Sequence, residues 1–424
     1  MRVLVLAGPT AVGKSSLAIR LCGEVSGEIV SADSVQLYRG LDVGSNKPNA
    51  ATRRAVAHHL VDVGEADDPW TAGRWSRAAL AAIDDCGRRH MTPVVVGGTM
   101  MYCRWLTRGA PGAPAASAQA AAEAESVLRS YRPGRWDEAV GVLAAQSERG
   151  KRRAEALSRN DWYRLSRAIE IEVDDVPEAP ARQRFLADET AYDARCFFLA
   201  PQDRMALFDA IDARCERMLD DGLVTEVGRL AAANKLPRTS TAARAIGYRQ
   251  CLDLLDRRTT DPDAYLDFVR RFGTASRNYA ADQMKWYRRD LNFGIVAADD
   301  AALATVLNAY ALPRDKYRAW LKSADQKKLR AGLVGNKQRM KTWVSELPKA
   351  ATDPEALERE LAMLRAALEE IASATNDDGA PVGRPLRPTI FADQGSTNRL
   401  AALHRNTTRE GDGLEEERGS GKQH

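Results

Sequence analysis

The stretch Gly8-Pro9-Thr10-Ala11-Val12-Gly13-Lys14-Ser15 constrains this chain more than any other. It fits GxxxxGK[ST]. It follows the apolar, β-branched run Arg2–Ala7 and opens Ser15–Cys22, where Leu17, Ala18 and Leu21 recur at helical spacing. Strand, glycine-rich turn and helix in that order make a phosphate cradle. Glycines let successive backbone N–H groups converge on phosphate oxygens, and the helix N-terminus adds partial positive charge. Lys14 supplies a point charge, and the Ser15 hydroxyl can hold a magnesium ion. A strand that is apolar on both faces also needs helices on both sides of its sheet, which points to a parallel α/β core.

The following residues continue that pattern. Glu28–Ala32, His59–Val63 and Pro93–Val96 read as further strands, and Thr71–Arg89 as a helix. After Gly109 the pattern changes. Ala110–Ala122 is alanine-rich with interspersed Pro and Gly, and 123–158 reads as charged helices. Arg195–Pro201 resembles a returning core strand, and Asp203–Arg289 reads helical throughout. The expected fold class is α/β: a phosphate-loop parallel sheet with a helical insertion and a helical C-terminal part. The expected segments are 1–109 for the first part of the core and 110–160 for the insertion. Residues 161–298 complete the core and add a helical part, 299–375 form a helical extension, and 376–424 a disordered tail.

Composition excludes several classes. The charge balance, 62 basic against 58 acidic residues, is too mild to identify a nucleic-acid partner by itself. Six cysteines stand singly at positions 22, 86, 103, 196, 215 and 251, without CxxC spacing, and His58-His59 has no metal-ligand spacing around it. Reduced thiols packed as small hydrophobes are expected, in a cytoplasmic protein, with an organellar location left open. No apolar run reaches the ~18 residues of a membrane span, and no signal segment precedes the first strand.

Two C-terminal features stand apart. Arg314–Lys341 carries ten basic and two acidic residues. Phosphate contact and a plain solvated helix both stay open for it. Leu357, Leu361, Leu364, Leu368 and Ile371 form a stripe of only about two heptads, which favours a helix packed within the chain over a coiled coil.

A phosphate cradle does not name a reaction. A motor-type NTPase places an aspartate at the end of a further apolar strand, whereas Pro93–Val96 runs into Gly97-Gly98-Thr99. The nearest carboxylate is Asp33, just after the second strand. Strand ends beside the first crossover face the ligand, so Asp33 can touch whatever receives a transferred group. Capping of the next turn is the alternative for Asp33. A small-molecule kinase also stays open, although neither an arginine-bearing lid nor a nucleoside pocket is visible.

The residues resemble the tRNA dimethylallyltransferase (tRNA isopentenyltransferase) family. Gly8–Ser15 is followed by Ser31-Ala-Asp33-Ser34-Val35-Gln36-Leu-Tyr38-Arg39-Gly40-Leu-Asp42-Val-Gly44-Ser45-Asn-Lys47-Pro48 and His58-His59-Leu-Val-Asp62-Val. Val96-Gly97-Gly98-Thr99-Met-Met-Tyr102 and Asn160-Asp161-Trp-Tyr-Arg164-Leu-Ser-Arg167 come next. Arg214-Cys-Glu-Arg-Met218, Ala245-Ile246-Gly247-Tyr248-Arg249-Gln250 and Arg277-Asn-Tyr279-Ala280 with Gln283 complete the order, and the likeness spans about residues 1–295. Two departures stand out. The family's Lys-Arg pair before Gln283 is Ala281-Asp282, and Glu148–Arg159 lacks the usual sequence. The zinc finger of eukaryotic members is missing, since no cysteine follows Cys251.

The resemblance implies transfer of a five-carbon prenyl group from dimethylallyl diphosphate to the exocyclic amine of the adenine on the 3′ side of the anticodon. It implies that Gly8–Ser15 holds diphosphate, with magnesium at Ser15, and that the catalytic residues are Asp33 as general base, Thr99 and Arg214. It assigns Asp33, Ser34, Val35 and Gln36 to the flipped adenine. Arg164, Arg167, Arg244, Tyr248, Arg249 and Arg277 are assigned to the tRNA anticodon stem-loop. A monomer is expected. A transferase acting on free adenine nucleotides would lack the insertion and the last two motifs. A non-catalytic relative would not keep Lys14, Ser15, Asp33 and Thr99.

Overall fold

In the computed structural model the described residues are 1–109, 116–131, 134–175, 186, 190–333, 343–345 and 347–374. Six strands form one parallel sheet: β1 (Arg2–Ala7), β2 (Gly27–Ser31), β3 (His58–His59), β4 (Thr92–Gly97), β5 (Asp193–Ala200) and β6 (Phe293–Ala297). Their spatial order is β3-β2-β4-β1-β5-β6. The run that starts the chain therefore lies in the interior of the sheet. Val3, Val5 and Ala7 enter one core with Trp75, Phe198 and Tyr287, while Leu4 and Leu6 enter the other with Leu17, Leu21 and Val306. This is the period-2 alternation of a strand covered on both faces.

The first helices are α1 (Lys14–Val25), α2 (Ala50–Ala55), α3 (Ala72–Arg88) and α4 (Met100–Arg108). Between β4 and β5 come α5 (Ala118–Arg129), α6 (Trp136–Gln146), α7 (Glu148–Glu155) and α8 (Trp162–Val173). These four build a core of their own from Leu128, Trp136, Leu143, Leu165 and Ile169. The alanine-rich stretch 110–115 lies outside the described residues. After β5 come α9 (Arg204–Asp220), α10 (Leu223–Ala232), α11 (Tyr248–Asp256) and the 28-residue α12 (Pro262–Arg289).

Two strands differ from the sequence expectation. β3 is two residues long rather than His59–Val63, because Leu60 and Asp62 take left-handed φ values of 60° and 57° and turn the chain away. Its hold on the sheet is reinforced by His59 Nε2, 2.7 Å from Glu28 Oε2. Arg89 grips the same carboxylate with two nitrogens at 2.5 and 2.6 Å, which lowers the Glu28 pKa to about 2. β6, Phe-Gly-Ile-Val-Ala, was not expected as a strand. It pairs parallel with β5 along its whole length and is buried on both faces.

The segment after β6 contributes α13 (Ala302–Ala311), α14 (Arg314–Leu321), α15 (Ala324–Gly332) and a last described helix, Pro354–Ser373. Gln326 of α15 seals the open edge of β6. Its Oε1 accepts the Ile295 N–H at 2.6 Å, and its Nε2 donates to the Ile295 carbonyl at 2.9 Å. A free sheet edge needs such cover. Two arginines of the basic stretch are likewise committed inside the protein. Arg330 donates to the carbonyls of Tyr287, Arg288, Asp290 and Phe293, and Arg314 to that of Tyr192. Lys316, Lys322, Lys327 and Lys328 are exposed. The leucine stripe packs within the chain: Leu361 and Leu364 are buried, and Ala367 fits against Gly228 of α10. All six cysteines are buried and unpaired. No helix among the described residues is long and apolar enough to cross a membrane. The expected tail 376–424 lies outside the described residues.

Candidate active site

The phosphate loop leaves β1 at Ala7. Ala11 and Gly13 take φ values of 63° and 93°, and Gly13 in this left-handed conformation starts α1. No side chain caps α1, so its first-turn N–H groups stay free for an anion. The Lys14 ammonium donates to the Pro9 carbonyl at 2.6 Å. Burial, and next the Arg214 charge, push its pKa down to about 7. The Ser15 hydroxyl is exposed at the mouth of the loop.

An anion taken up by this loop would be linked to protonation of Lys14. An anion beside Lys14 favours the ammonium, so binding above pH 7 takes up a proton. Affinity for diphosphate should fall as pH rises from 7 to 9. Calorimetry at pH 8 in buffers of different ionisation enthalpy should show greater proton uptake by the wild type than by Lys14→Ala. Equal proton uptake by the two proteins would refute the linkage.

The neighbouring strand ends complete the floor. Ala32 N donates to the Val96 carbonyl at 2.7 Å, and Thr99 N to the Ala32 carbonyl at 3.3 Å, so β2 and β4 stay joined past their ends. Gly97 is required there, since a Cβ would lie 2.1 Å from the Ala32 oxygen. The Thr99 Oγ1 accepts the Ser34 N–H at 3.1 Å. Asp33 Oδ1 accepts the N–H groups of Val35 at 2.8 Å and Gln36 at 3.3 Å. The turn-capping role is thus real, and it uses one oxygen only. Oδ2 has no hydrogen-bond partner among the described residues.

The helical part closes the site from above. Arg214, on α9, donates from a terminal nitrogen to Thr10 Oγ1 at 2.7 Å. Burial lowers its pKa and Asp33 opposes that shift, so the two charges stand close enough to interact. Gln283 on α12 bridges the phosphate loop and the Gly98 turn. Its Oε1 accepts the Thr10 N–H at 3.0 Å, and its Nε2 donates to the Gly98 carbonyl at 2.9 Å. The Tyr279 hydroxyl, one turn earlier, donates to the same carbonyl at 3.2 Å. Their i, i+4 spacing was the available signal for a shared face. The structure therefore brings Thr10, Lys14, Asp33, Thr99 and Arg214 together.

Two residues assigned to RNA contact are corrected. Tyr248 is fully buried, and its hydroxyl donates to Glu226 Oε1 at 2.7 Å, so its ring has no face open to a base. Arg277 is held inside by Asp212 and Ser345 and lies 5.1 Å from the Trp343 ring centroid, so its guanidinium is engaged within the protein. Arg164, Arg244 and Arg249 are exposed. Arg164 pairs with Asp161 at 3.3 Å, and Arg167 with Glu170 at 2.8 Å. Ser34, Val35 and Gln36 are half-buried beside Asp33.

A phosphate loop after β1, a carboxylate after β2 and a hydroxyl after β4, on three adjacent strands of one parallel sheet, define a phosphate-loop group-transfer enzyme. The family profile "IPP transferase" matches residues 36–290, and "Isopentenyl transferase" matches residues 1–62. tRNA dimethylallyltransferase 9 of Arabidopsis thaliana is 37% identical over 73% of this chain and 74% of its own length. The tRNA dimethylallyltransferase of Anaeromyxobacter sp. is 38% identical over 71% of this chain and 97% of its own. The chain belongs to the tRNA dimethylallyltransferase family. Among solved structures, the tRNA isopentenylpyrophosphate transferase of Bacillus halodurans superposes with a TM-score of 0.51 at 25% identity, covering 78% of this chain and 99% of that one. A eukaryotic dimethylallyltransferase acting on tRNA shares the fold with a TM-score of 0.56 at 23% identity, covering 96% of this chain and 97% of that one.

Proposed function

We propose that this enzyme transfers a dimethylallyl group from dimethylallyl diphosphate to N6 of the adenine on the 3′ side of the anticodon in tRNA. The observation that carries this reading is the arrangement of Asp33 with one free oxygen beside the cationic pair Lys14 and Arg214. The cations and free N–H groups suit a diphosphate leaving group, and the carboxylate suits a nucleophile that sheds a proton.

The allylic C–O bond breaks, the N6–C bond forms, and the N6 proton passes to Asp33 Oδ2. Lys14, Arg214 and the α1 N-terminus hold the charge that develops on diphosphate. Gln283 keeps the phosphate loop in register with the Gly98 turn, so donor and acceptor sides share one frame. Magnesium fits this donor set. Ser15 offers an exposed hydroxyl, and no carboxylate cage is found beside it among the described residues, which suits an ion that keeps its waters and binds through phosphate oxygens. When bound, it neutralises charge on the leaving diphosphate. The adenine must leave its stack to reach this cleft. Exposed Arg164, Arg244 and Arg249 supply contacts to the anticodon stem-loop.

The test is to incubate the protein with magnesium, dimethylallyl diphosphate and unmodified tRNA, then digest the RNA and analyse nucleosides by mass spectrometry. N6-isopentenyladenosine is expected without ATP. A requirement for ATP, or ATP hydrolysis stimulated by tRNA, would overturn the reading in favour of a nucleotide-driven enzyme.

A further inference from the structure

We infer that Glu226 is a positioning residue for acceptor recognition: through the 42–47 loop it fixes which end of the Gln36 amide is offered to the base. The inference rests on the transferase reading above.

Glu226 lies in the first turn of α10, far in sequence from the loop it holds. Its Oε2 accepts the N–H groups of Asp42 at 2.8 Å and Val43 at 2.7 Å. Its Oε1 accepts the N–H of Gly44 at 3.3 Å and the Tyr248 hydroxyl at 2.7 Å. One carboxylate thus gathers three consecutive backbone donors and a buried phenol. Charge-assisted bonds of this kind are about twice as strong as neutral ones. The loop presses directly on the same ring, since a Cβ at Gly44 would lie 2.6 Å from Tyr248. Lys47 ties the far end of the loop with bonds to the Tyr38 carbonyl at 2.7 Å and to Asp42 and Asp62, both at 2.6 Å.

The held loop turns two carbonyls toward Gln36. Gln36 Nε2 donates to the carbonyls of Ser45 and Asn46, both at 3.3 Å. A flipped amide would set Oε1 against those two oxygens, so its orientation is determined by the loop. Oε1 therefore faces the other way, where it accepts the Ser31 hydroxyl at 3.1 Å and keeps one lone pair. That end of the amide can only accept. It suits a base carrying an exocyclic amine, which donates, and opposes a base carrying a carbonyl oxygen there. Without the Glu226 carboxylate, the loop loses the acceptor for three N–H groups, its carbonyls drift, and Gln36 is free to turn over.

Two synthetic anticodon stem-loops test this, one with adenine at the target position and one with hypoxanthine, which replaces the amine by a carbonyl. Binding of each is measured by fluorescence anisotropy, alongside steady-state kinetics with adenine RNA. The wild type should prefer adenine by about tenfold, the scale of one polar contact. In Glu226→Gln the preference should fall several-fold, leaving the part that Asp33 Oδ2 imposes, and KM for RNA should rise, with KM for dimethylallyl diphosphate unchanged. Tyr248→Phe removes a single donor from the carboxylate and should show a smaller loss. It also serves if Glu226→Gln does not fold. Equal weakening of both RNAs with the ratio intact would reduce Glu226 to a stabilising residue and overturn the inference. A wild type that transfers no prenyl group would instead sink the transferase reading, and the inference with it.

Discussion

Asp33→Asn should lower the single-turnover rate of prenyl transfer by ~10²–10⁴-fold, the range for a positioned acid–base group. The structure makes this variant more informative than Asp33→Ala. The asparagine side-chain oxygen can still accept the Val35 and Gln36 N–H groups that Oδ1 accepts now, so the turn survives. What disappears is the second carboxylate oxygen. If Asp33 only capped the turn, Asp33→Asn would work almost normally and Asp33→Ala would not. If it takes the proton, both variants fail together, while affinity for the diphosphate substrate changes little. Rapid-quench measurements on the two variants decide between these outcomes.

The second large effect belongs to Arg214. Arg214→Ala should reduce the rate of the chemical step by ~10²–10³-fold, as expected for loss of a preorganised donor to developing charge. Arg214→Lys should remain strongly impaired. A lysine has no planar fork to hold Thr10 Oγ1 and a phosphate oxygen at once, and its point charge would crowd Lys14. Single-turnover rates at saturating dimethylallyl diphosphate measure this directly. Rates within threefold of wild type for Arg214→Ala would remove the arginine from the catalytic step.

Much of this site was legible before the fold was known, and the reasons differ residue by residue. Gly8–Ser15 is local chemistry: the glycines, the lysine and the flanking strand and helix specify one another within a short stretch. Asp33 could be placed because strand ends in a parallel sheet share one edge, whereas Thr99 was legible only through the family resemblance. Residues whose roles depend on distant partners were misread. Tyr248 and Arg277 look like RNA ligands in a sequence, being an aromatic and a cation in matched motifs. Their actual partners, Glu226 and Asp212, come from other helices. Gln283 gave no chemical cue, because an amide becomes a clamp only when Thr10 and Gly98 are brought to it. β6 was missed because five residues with an internal glycine carry little periodicity. Its strand state comes from pairing with β5 and from the Gln326 side chain on its outer edge.

The bond from Thr10 to Gln283 has a consequence for how the enzyme comes into being. The phosphate loop leaves the ribosome well before the clamp that sets it, which lies 273 residues further along the chain. Arg214 reaches Thr10 across 204 residues. A nascent chain with β1 and α1 already formed therefore holds an unfinished cradle, and any product that stops before α12 keeps it that way. Competence to act on RNA therefore waits for α12, and a ribosome that abandons the message before that helix releases no fragment with a complete site.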